Sequence, residues 1–271
     1  MEKLLTVITC ARNEEKNIGN LIKNIKKQTF KNFVHIIVDD NSTDNTVSII
    51  KNFAKNDNRF VLKKYPYPHT GVHRSGPARN YGLEGVRTKY IAVIDADDIS
   101  HKDRFSKQID FLENNSDIGI VGTNGIVINS FEKYIFKLPE TNKQIKKTIF
   151  IQNPFIVSSV MMKSEVFFKI GGFLQTQYGN ADVDAWYRAY LKGIKFHNLQ
   201  EPLTTYYAMD VIPYKHIYYS FKLRIKFIIN TKKYYKLLFL PISFFRQLLR
   251  NIKQFLKSKV YKKKYFNIEN Q

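Results

Sequence analysis

Residues 90–98, Tyr-Ile-Ala-Val-Ile-Asp-Ala-Asp-Asp, constrain this chain more than any other stretch. Five apolar residues in a row, Tyr90 to Ile94, have the pattern of a strand buried on both faces, as in a parallel sheet covered by helices. The strand runs into three carboxylates within four positions, Asp95, Asp97 and Asp98. Crowded carboxylates repel one another and lose hydration, so they cost stability unless a cation sits among them. In an open α/β sheet the carboxyl ends of the strands are where ligands bind. The spacing Asp-x-Asp suits Mg²⁺ or Mn²⁺, held by one or two carboxylates while phosphate oxygens of a substrate fill the other positions. A plain helix cap before Lys102 would use Asp97 or Asp98 and leave two carboxylates without a purpose.

The rest of the chain supplies a sheet for that strand. Leu4–Cys10 is apolar and β-branched and predicts a first strand. Asn13 predicts a helix cap, followed by acids in the first turn and by Ile18, Leu21, Ile22 and Ile25 on one stripe. Phe33–Val38 predicts a second strand, again ending in carboxylates (Asp39, Asp40, Asp44), then a capped helix to about Lys55 and a third strand at Phe60–Lys64. This alternation predicts an α/β fold with a doubly wound, mostly parallel, Rossmann-like sheet. Residues 65–76, rich in Pro and Gly, predict a mobile loop able to close over a bound ligand. Further on, the pattern predicts helices from Pro77, over Arg104–Leu112 and beginning at Asp182. Strands are predicted at Ile118–Gly122, up to Met162, at Lys195–Leu199 and at Thr204–Tyr207. Between 123 and 165 the pattern is otherwise unclear.

Taken in order, these pieces resemble glycosyltransferase family 2, the inverting nucleotide-sugar transferases of the GT-A fold. The resemblance rests on Thr6-Val-Ile-Thr-Cys-Ala-Arg-Asn-Glu-Glu15 and on Gln28-Thr-Phe-Lys-Asn-Phe33 leading to Val38-Asp-Asp-Asn-Ser-Thr-Asp44. It continues through Ala78-Arg-Asn80 with Gly82, Asp95-Ala-Asp-Asp98, Gly171-Gly-Phe173 and Asp182-Val-Asp-Ala-Trp-Tyr-Arg188. It implies that Thr9, Arg12 and Glu14 line a nucleotide pocket and that Asp40, ahead of Asp39, accepts a base N–H. It also implies that Arg79 lies near the diphosphate, that Asp95 faces the ribose and that Asp97 binds the bridging Mg²⁺ or Mn²⁺. Asp182 matches the catalytic base, with Asp184 as the fallback, because Ala181 stands where the family often has Glu. Lys102 stands where a proline is common. The implied reaction is displacement at the anomeric carbon of a nucleotide-diphosphate sugar, a UDP-sugar favoured, by a hydroxyl of a glycan or lipid-linked acceptor in surface polysaccharide synthesis.

Composition adds the rest. A 271-residue chain with one cysteine, Cys10, needs no disulfide framework and suits a reducing compartment. No signal-peptide pattern opens it, and the apolar run 237–245 is too short to span a bilayer. The net charge is +21, of which residues 211–271 carry +14 (12 Lys and 3 Arg against Glu269). The predicted division is a transferase domain over 1–210 and a basic, helical, amphipathic tail over 211–271. In the tail Phe244, Leu248, Leu249, Ile252, Leu256 and Val260 fall on one stripe. Such a tail suits an anionic membrane surface, which predicts a cytoplasmic protein held peripherally at the inner face of the membrane. A helix packed on its own domain is the competing reading, and nucleic acid is not the expected partner, for want of a binding motif. Two other functions stand as alternatives: a nucleotidyltransferase, which would need a Gly-rich, Lys-containing loop where Ala11-Arg-Asn-Glu-Glu15 stands, and a non-catalytic membrane- or nucleic-acid-binding module, which leaves the carboxylates unexplained.

Overall fold

In a computed structural model the described residues are 3–68, 75–174, 180–241, 244, 245, 248, 249 and 251–253. Nine strands form one sheet. They are β1 (Leu5–Ala11), β2 (Phe33–Asp39), β3 (Phe60–Lys64), β4 (Tyr90–Val93), β5 (Ile99–Ser100), β6 (Ile118–Ile128), β7 (Lys133–Phe136), β8 (Met161–Lys163) and β9 (Lys195–Tyr207). The order is β3-β2-β1-β4-β8-β6-β9-β5, with β7 on β6. β3, β2, β1 and β4 are mutually parallel. Beyond them the sheet is mixed: β8 runs antiparallel to β4 and β6, β9 runs parallel to β6, and β5 runs antiparallel to β9. The chain moves outward from β1 to β3 and returns on the other side of β1 at β4. That reversal is a topological switch point, where the connections diverge and leave a crevice at the carboxyl ends of the strands.

Helices cover both faces. α1 (Ile18–Lys26) and α4 (Arg104–Asn114) bury Leu21, Ile22, Phe105 and Ile109 against Val7, Ile37 and Ala92. α3 (Ser75–Leu83), α6 (Ser164–Ile170) and α7 (Ala181–Leu191) bury Ala78, Phe167 and Trp186 against Ile8, Val38 and Val93. Neighbouring strand residues go to opposite faces, as a pleated strand requires. α3 lies close on the sheet because of Gly82: a Cβ there would come within 2.6 Å of methyl groups of Ile8 and Val38.

Several boundaries differ from the expectation. Asn13 does not cap α1. It adopts φ 53°, and its side chain accepts from Thr43 N at 2.8 Å, tying the β1 loop to the β2 loop. α1 begins only at Ile18. The unclear region contains β7, α5 (Asn142–Thr148) and a 3₁₀ turn at Val157–Ser159, and α6 begins at its end. The expected strand up to Met162 is the short β8. The two expected strands around Glu201-Pro202 are one long, irregular β9. Of the expected loop over 65–76, residues 69–74 lie outside the described residues.

Arg104 is fully buried, and it fastens the end of β4 to its surroundings. It donates to the carbonyls of Val93 (3.0 Å) and Val160 (3.2 Å), to Ser100 Oγ (2.8 Å) and to Gln108 Oε1 (3.0 Å). After β9 the chain forms α8 (Tyr214–Asn230). Phe227 of α8 stacks on Tyr187 of α7 at 4.1 Å between ring centres and 3° between planes. Among the described residues no helix is long and apolar enough to cross a membrane. Leu256 and Val260 of the expected tail stripe, with the neighbouring Lys257 and Lys264, lie outside the described residues.

Candidate active site

The crevice at the switch point gathers the ends of β1, β2 and β4. Thr9 sits beneath it rather than in it. Its side chain is fully buried, its hydroxyl donates to the Ile94 carbonyl at 2.9 Å, and His35 Nε2 lies 2.9 Å from the same oxygen. Burial pushes His35 down to about 3, so the ring is neutral and Nε2–H donates to Thr9. Thr9 therefore ties β1 to β4 beneath the crevice. Period-2 alternation turns the next side chain, Cys10, to the opposite face. There the Cys10 thiol, pushed up to about 12 chiefly by burial, also feels the charges of Arg79, Asp40, Asp95 and Asp39.

Arg12 Nη1 donates to the Asp40 carbonyl at 3.3 Å. Asp39 and Asp40 are both buried, and Asp39 Oδ1 accepts from Ser42 N at 3.2 Å. A cavity of about 460 Å³ opens here, lined by Asp39, Asn41, Ser42, Thr43, Val47, Lys64 and Tyr65. The Glu14 carboxyl is pushed up by burial and by the charges of Asp97, Asp95 and Asp44, against the pull of a hydrogen bond from Asn17. Glu14 thus faces the same acidic crevice from the β1 side.

Across it, Arg79 of α3 is buried and forms an ion pair with Asp95. Asp95 N donates to Ser158 Oγ at 3.0 Å, so the 3₁₀ turn helps to set this loop. Asp97 is exposed at the tip, and partial burial of its carboxyl together with the Asp95 charge pushes its pKa up. Asp98 points inward. It is buried, accepts from Tyr207 N at 3.0 Å, and is pushed well up by burial and by Asp95. One carboxylate is therefore paired with Arg79, one is engaged with β9, and one is exposed.

Asp182 is the second residue of α7. It is half-buried and accepts from Asn153 Nδ2 at 2.8 Å. Burial pushes its carboxyl up, while the Val183 backbone, Asn153 and the Arg79 charge pull the other way. Asp184 is spent differently. It accepts from Arg188 Nε at 2.7 Å, and Arg188 in turn donates to the carbonyls of Ile170 and Gly172. Those carbonyls lie at the end of α6 and in the Gly171-Gly172-Phe173 turn that follows it, which Asn80 also holds through two 2.8 Å bonds to the Phe173 backbone. Gly172 has φ 66°, and a Cβ there would lie 2.6 Å from Asn80 Oδ1. Gly172→Ala is expected to destabilise the fold by about 2 kcal/mol, read as a lower urea midpoint at unchanged slope.

Asn153, Ser158 and Asn80 were not singled out for a role in the sequence. Each is an ordinary polar residue whose partner lies 29 to 93 positions away.

With this geometry in view, the comparisons with known proteins are specific. The glycosyl transferase family 2 model matches residues 6–171. An uncharacterized glycosyltransferase of Methanocaldococcus jannaschii is 33% identical over 214 residues, 75% of this chain and 70% of that protein. The O-antigen biosynthesis glycosyltransferase WbnJ of Escherichia coli is 28% identical over 208 residues, 75% of this chain and 79% of WbnJ. Among solved structures, S. aureus TarS 1-349 in complex with UDP superposes with a TM-score of 0.65 at 20% identity, over 83% of this chain and 65% of that one. The mannosyltransferase PcManGT from Pyrobaculum calidifontis, in complex with GDP-Man and Mn²⁺, gives 0.61 at 17% identity, over 92% and 74%. The likeness in structure shows the GT-A fold, and the match of sequence over more than half of the chain shows the family. The chain belongs to glycosyltransferase family 2.

Proposed function

We propose that the protein transfers a sugar, with inversion, from a nucleotide-diphosphate sugar to a hydroxyl of a glycan or lipid-linked acceptor in surface polysaccharide synthesis. A UDP-sugar is the favoured donor. The observation that carries this is the convergence of the Arg79–Asp95 pair, the exposed Asp97 and the Asn153-held Asp182 around one crevice at the switch point. The UDP held by TarS and the GDP-Man held by PcManGT support the donor class, and the O-antigen role of WbnJ supports the acceptor class.

The roles follow from the surroundings of each side chain. The cavity beside Asp39 and Asp40 receives the base. Arg79, held by Asp95, lies near the diphosphate and favours its negative charge. Asp182 takes the proton of the acceptor hydroxyl as that oxygen attacks. Attack from the face opposite the leaving nucleoside diphosphate inverts the anomeric carbon.

The residues also fit a divalent cation. Carboxylates pushed up by one another gain from a positive charge between them. Among the described residues no group of three or more His, Cys, Asp or Glu is placed to hold a metal alone. Asp97 would hold Mg²⁺ or Mn²⁺ together with oxygens of the diphosphate, and the ion would supply Lewis-acid stabilisation of the leaving group.

We further propose that residues 1–210 hold the transfer chemistry and that 211–271 attach the protein peripherally to an anionic membrane at its cytoplasmic face. The test of the donor class is a panel of nucleotide sugars with and without Mg²⁺ or Mn²⁺, read by thermal unfolding. A UDP-sugar at 100-fold its Kd is expected to add about 2.7 kcal/mol, and only with the metal present. Failure of every nucleotide sugar to raise Tm would overturn the assignment.

A further inference from the structure

The segment after α8 is both firmly anchored and openly apolar. A 3₁₀ turn spans Tyr234–Phe239. On one flank, Lys233 Nζ donates to Tyr190 OH at 2.5 Å and lies 5.2 Å from the Tyr190 ring centre. On the other, Leu240 is buried in the core shared with α7. Beneath, Lys236 Nζ lies 5.4 Å from the Phe150 ring, which stacks on Phe227 at 4.9 Å. A turn held at both ends has no freedom to tuck its side chains away. Yet Leu238 is 78% exposed and Tyr235 61%, with Tyr234 and Leu237 exposed beside them. A fixed cluster of this kind marks an interaction surface.

We propose that the turn Tyr234–Phe239 inserts into the interface of an anionic bilayer, and that the acceptor is a lipid-linked molecule presented from that bilayer. The second half rests on the transferase reading above; the first does not. Charge decides the occupant. Lys232, Lys233 and Lys236 flank the apolar tips, and between residues 211 and 271 the only acid is Glu269. A second copy of this chain would bring the same lysines face to face across a two-fold interface, which opposes self-association. An anionic lipid surface attracts those lysines, takes up leucine tips, and suits tyrosine at headgroup depth.

The anchor also places the chemistry. The turn is held at Tyr190, eight residues along α7 from Asp182, about 12 Å of helix at 1.5 Å per residue. That puts the candidate base close enough to the turn for the head group of a lipid-linked acceptor to reach it. Of the expected stripe Phe244–Val260, Phe244 packs on Phe221 of α8, while Leu248, Leu249 and Ile252 are exposed.

The test uses the full chain with vesicles of phosphatidylcholine, with and without phosphatidylglycerol, and compares it with the double variant Leu237→Ser/Leu238→Ser. Both leucines are exposed, so the variant is expected to fold; circular dichroism and UDP calorimetry check this. Wild type is expected to co-sediment with the anionic vesicles only, and the variant to bind them about tenfold more weakly or worse, with UDP affinity unchanged. A further variant, Leu238→Trp, is expected to be quenched by brominated lipid. Equal sedimentation of wild type and the double variant overturns the proposal, as does equal binding to neutral vesicles. So does a wild-type dimer in sedimentation velocity that the serines dissolve. Loss of vesicle binding with no UDP binding by either protein supports the insertion site and sinks the donor reading instead.

Discussion

Asp182→Asn is expected to bind the donor as tightly as wild type and to transfer about 10²-fold more slowly or worse, the usual scale for a positioned general base. The substitution nearly keeps the shape of the side chain. The amide oxygen of the new residue still accepts from Asn153 Nδ2, so the start of α7 is expected to stay in place. What disappears is the proton acceptor. The pH profile gives a second readout. Burial raises the Asp182 carboxyl, and the base works only when ionised. The rate of wild type is therefore expected to be full above that raised pKa and to fall as pH drops through it, at a higher pH than an exposed aspartate would give. The residual rate of the variant lacks this limb. Asn153→Ala removes a bond that favours the ionised form, so the limb should move to still higher pH. Asp184→Asn is the comparison, because its partner Arg188 holds the Gly171–Phe173 turn. It is expected to lower the urea midpoint and leave the pH limb where it was. Loss of turnover by Asp184→Asn with Asp182→Asn active would exchange the two assignments.

The parallel half of the sheet was legible because burial on both faces leaves continuous apolar runs. Phe60–Lys64 is β3 residue for residue, and Tyr90–Val93 ends one position before the expected limit. The carboxylates announced themselves by occurring where a buried strand has no structural use for them. The second half was less legible for physical reasons. β8 is three residues long and antiparallel, too short to show a period. β9 carries irregular register around Glu201 and Pro202, which reads as two strands. α5 did carry a local signal, the Thr141 and Gln144 capping box. Thr9 shows the other limit. The pleat sends neighbours to opposite faces, so a motif that marks Thr9 does not reveal that its side chain is buried as a tie between β1 and β4. Asn153 and Ser158 act through distant partners, as Arg104 does through the Val160 carbonyl, and no local pattern encodes those.

Asp97→Ala is expected to abolish the metal dependence of UDP binding, with the affinity for Mg²⁺ or Mn²⁺ in the ternary complex falling by at least about 100-fold. That is the upper end of what losing an outer-shell partner of a metal ligand costs, and a direct ligand should matter no less. Asp97 is the carboxylate for this test because its neighbours are committed: Asp95 is paired with Arg79, and Asp98 is buried against the Tyr207 amide. The free protein should respond in the opposite direction. Asp97 adds to the charge crowding that raises both Glu14 and Asp98. Removing it relieves repulsion, so the variant without ligands should unfold at the same temperature as wild type or higher. A side chain that is neutral or unfavourable for the free fold and required once metal and UDP are added is a binding residue, not a helix cap. Loss of a cap would instead lower Tm in every condition. Calorimetry of UDP with and without metal, beside thermal unfolding of both proteins, separates the outcomes. A variant that keeps metal-dependent UDP binding, or whose free form melts well below wild type, would move the metal away from Asp97.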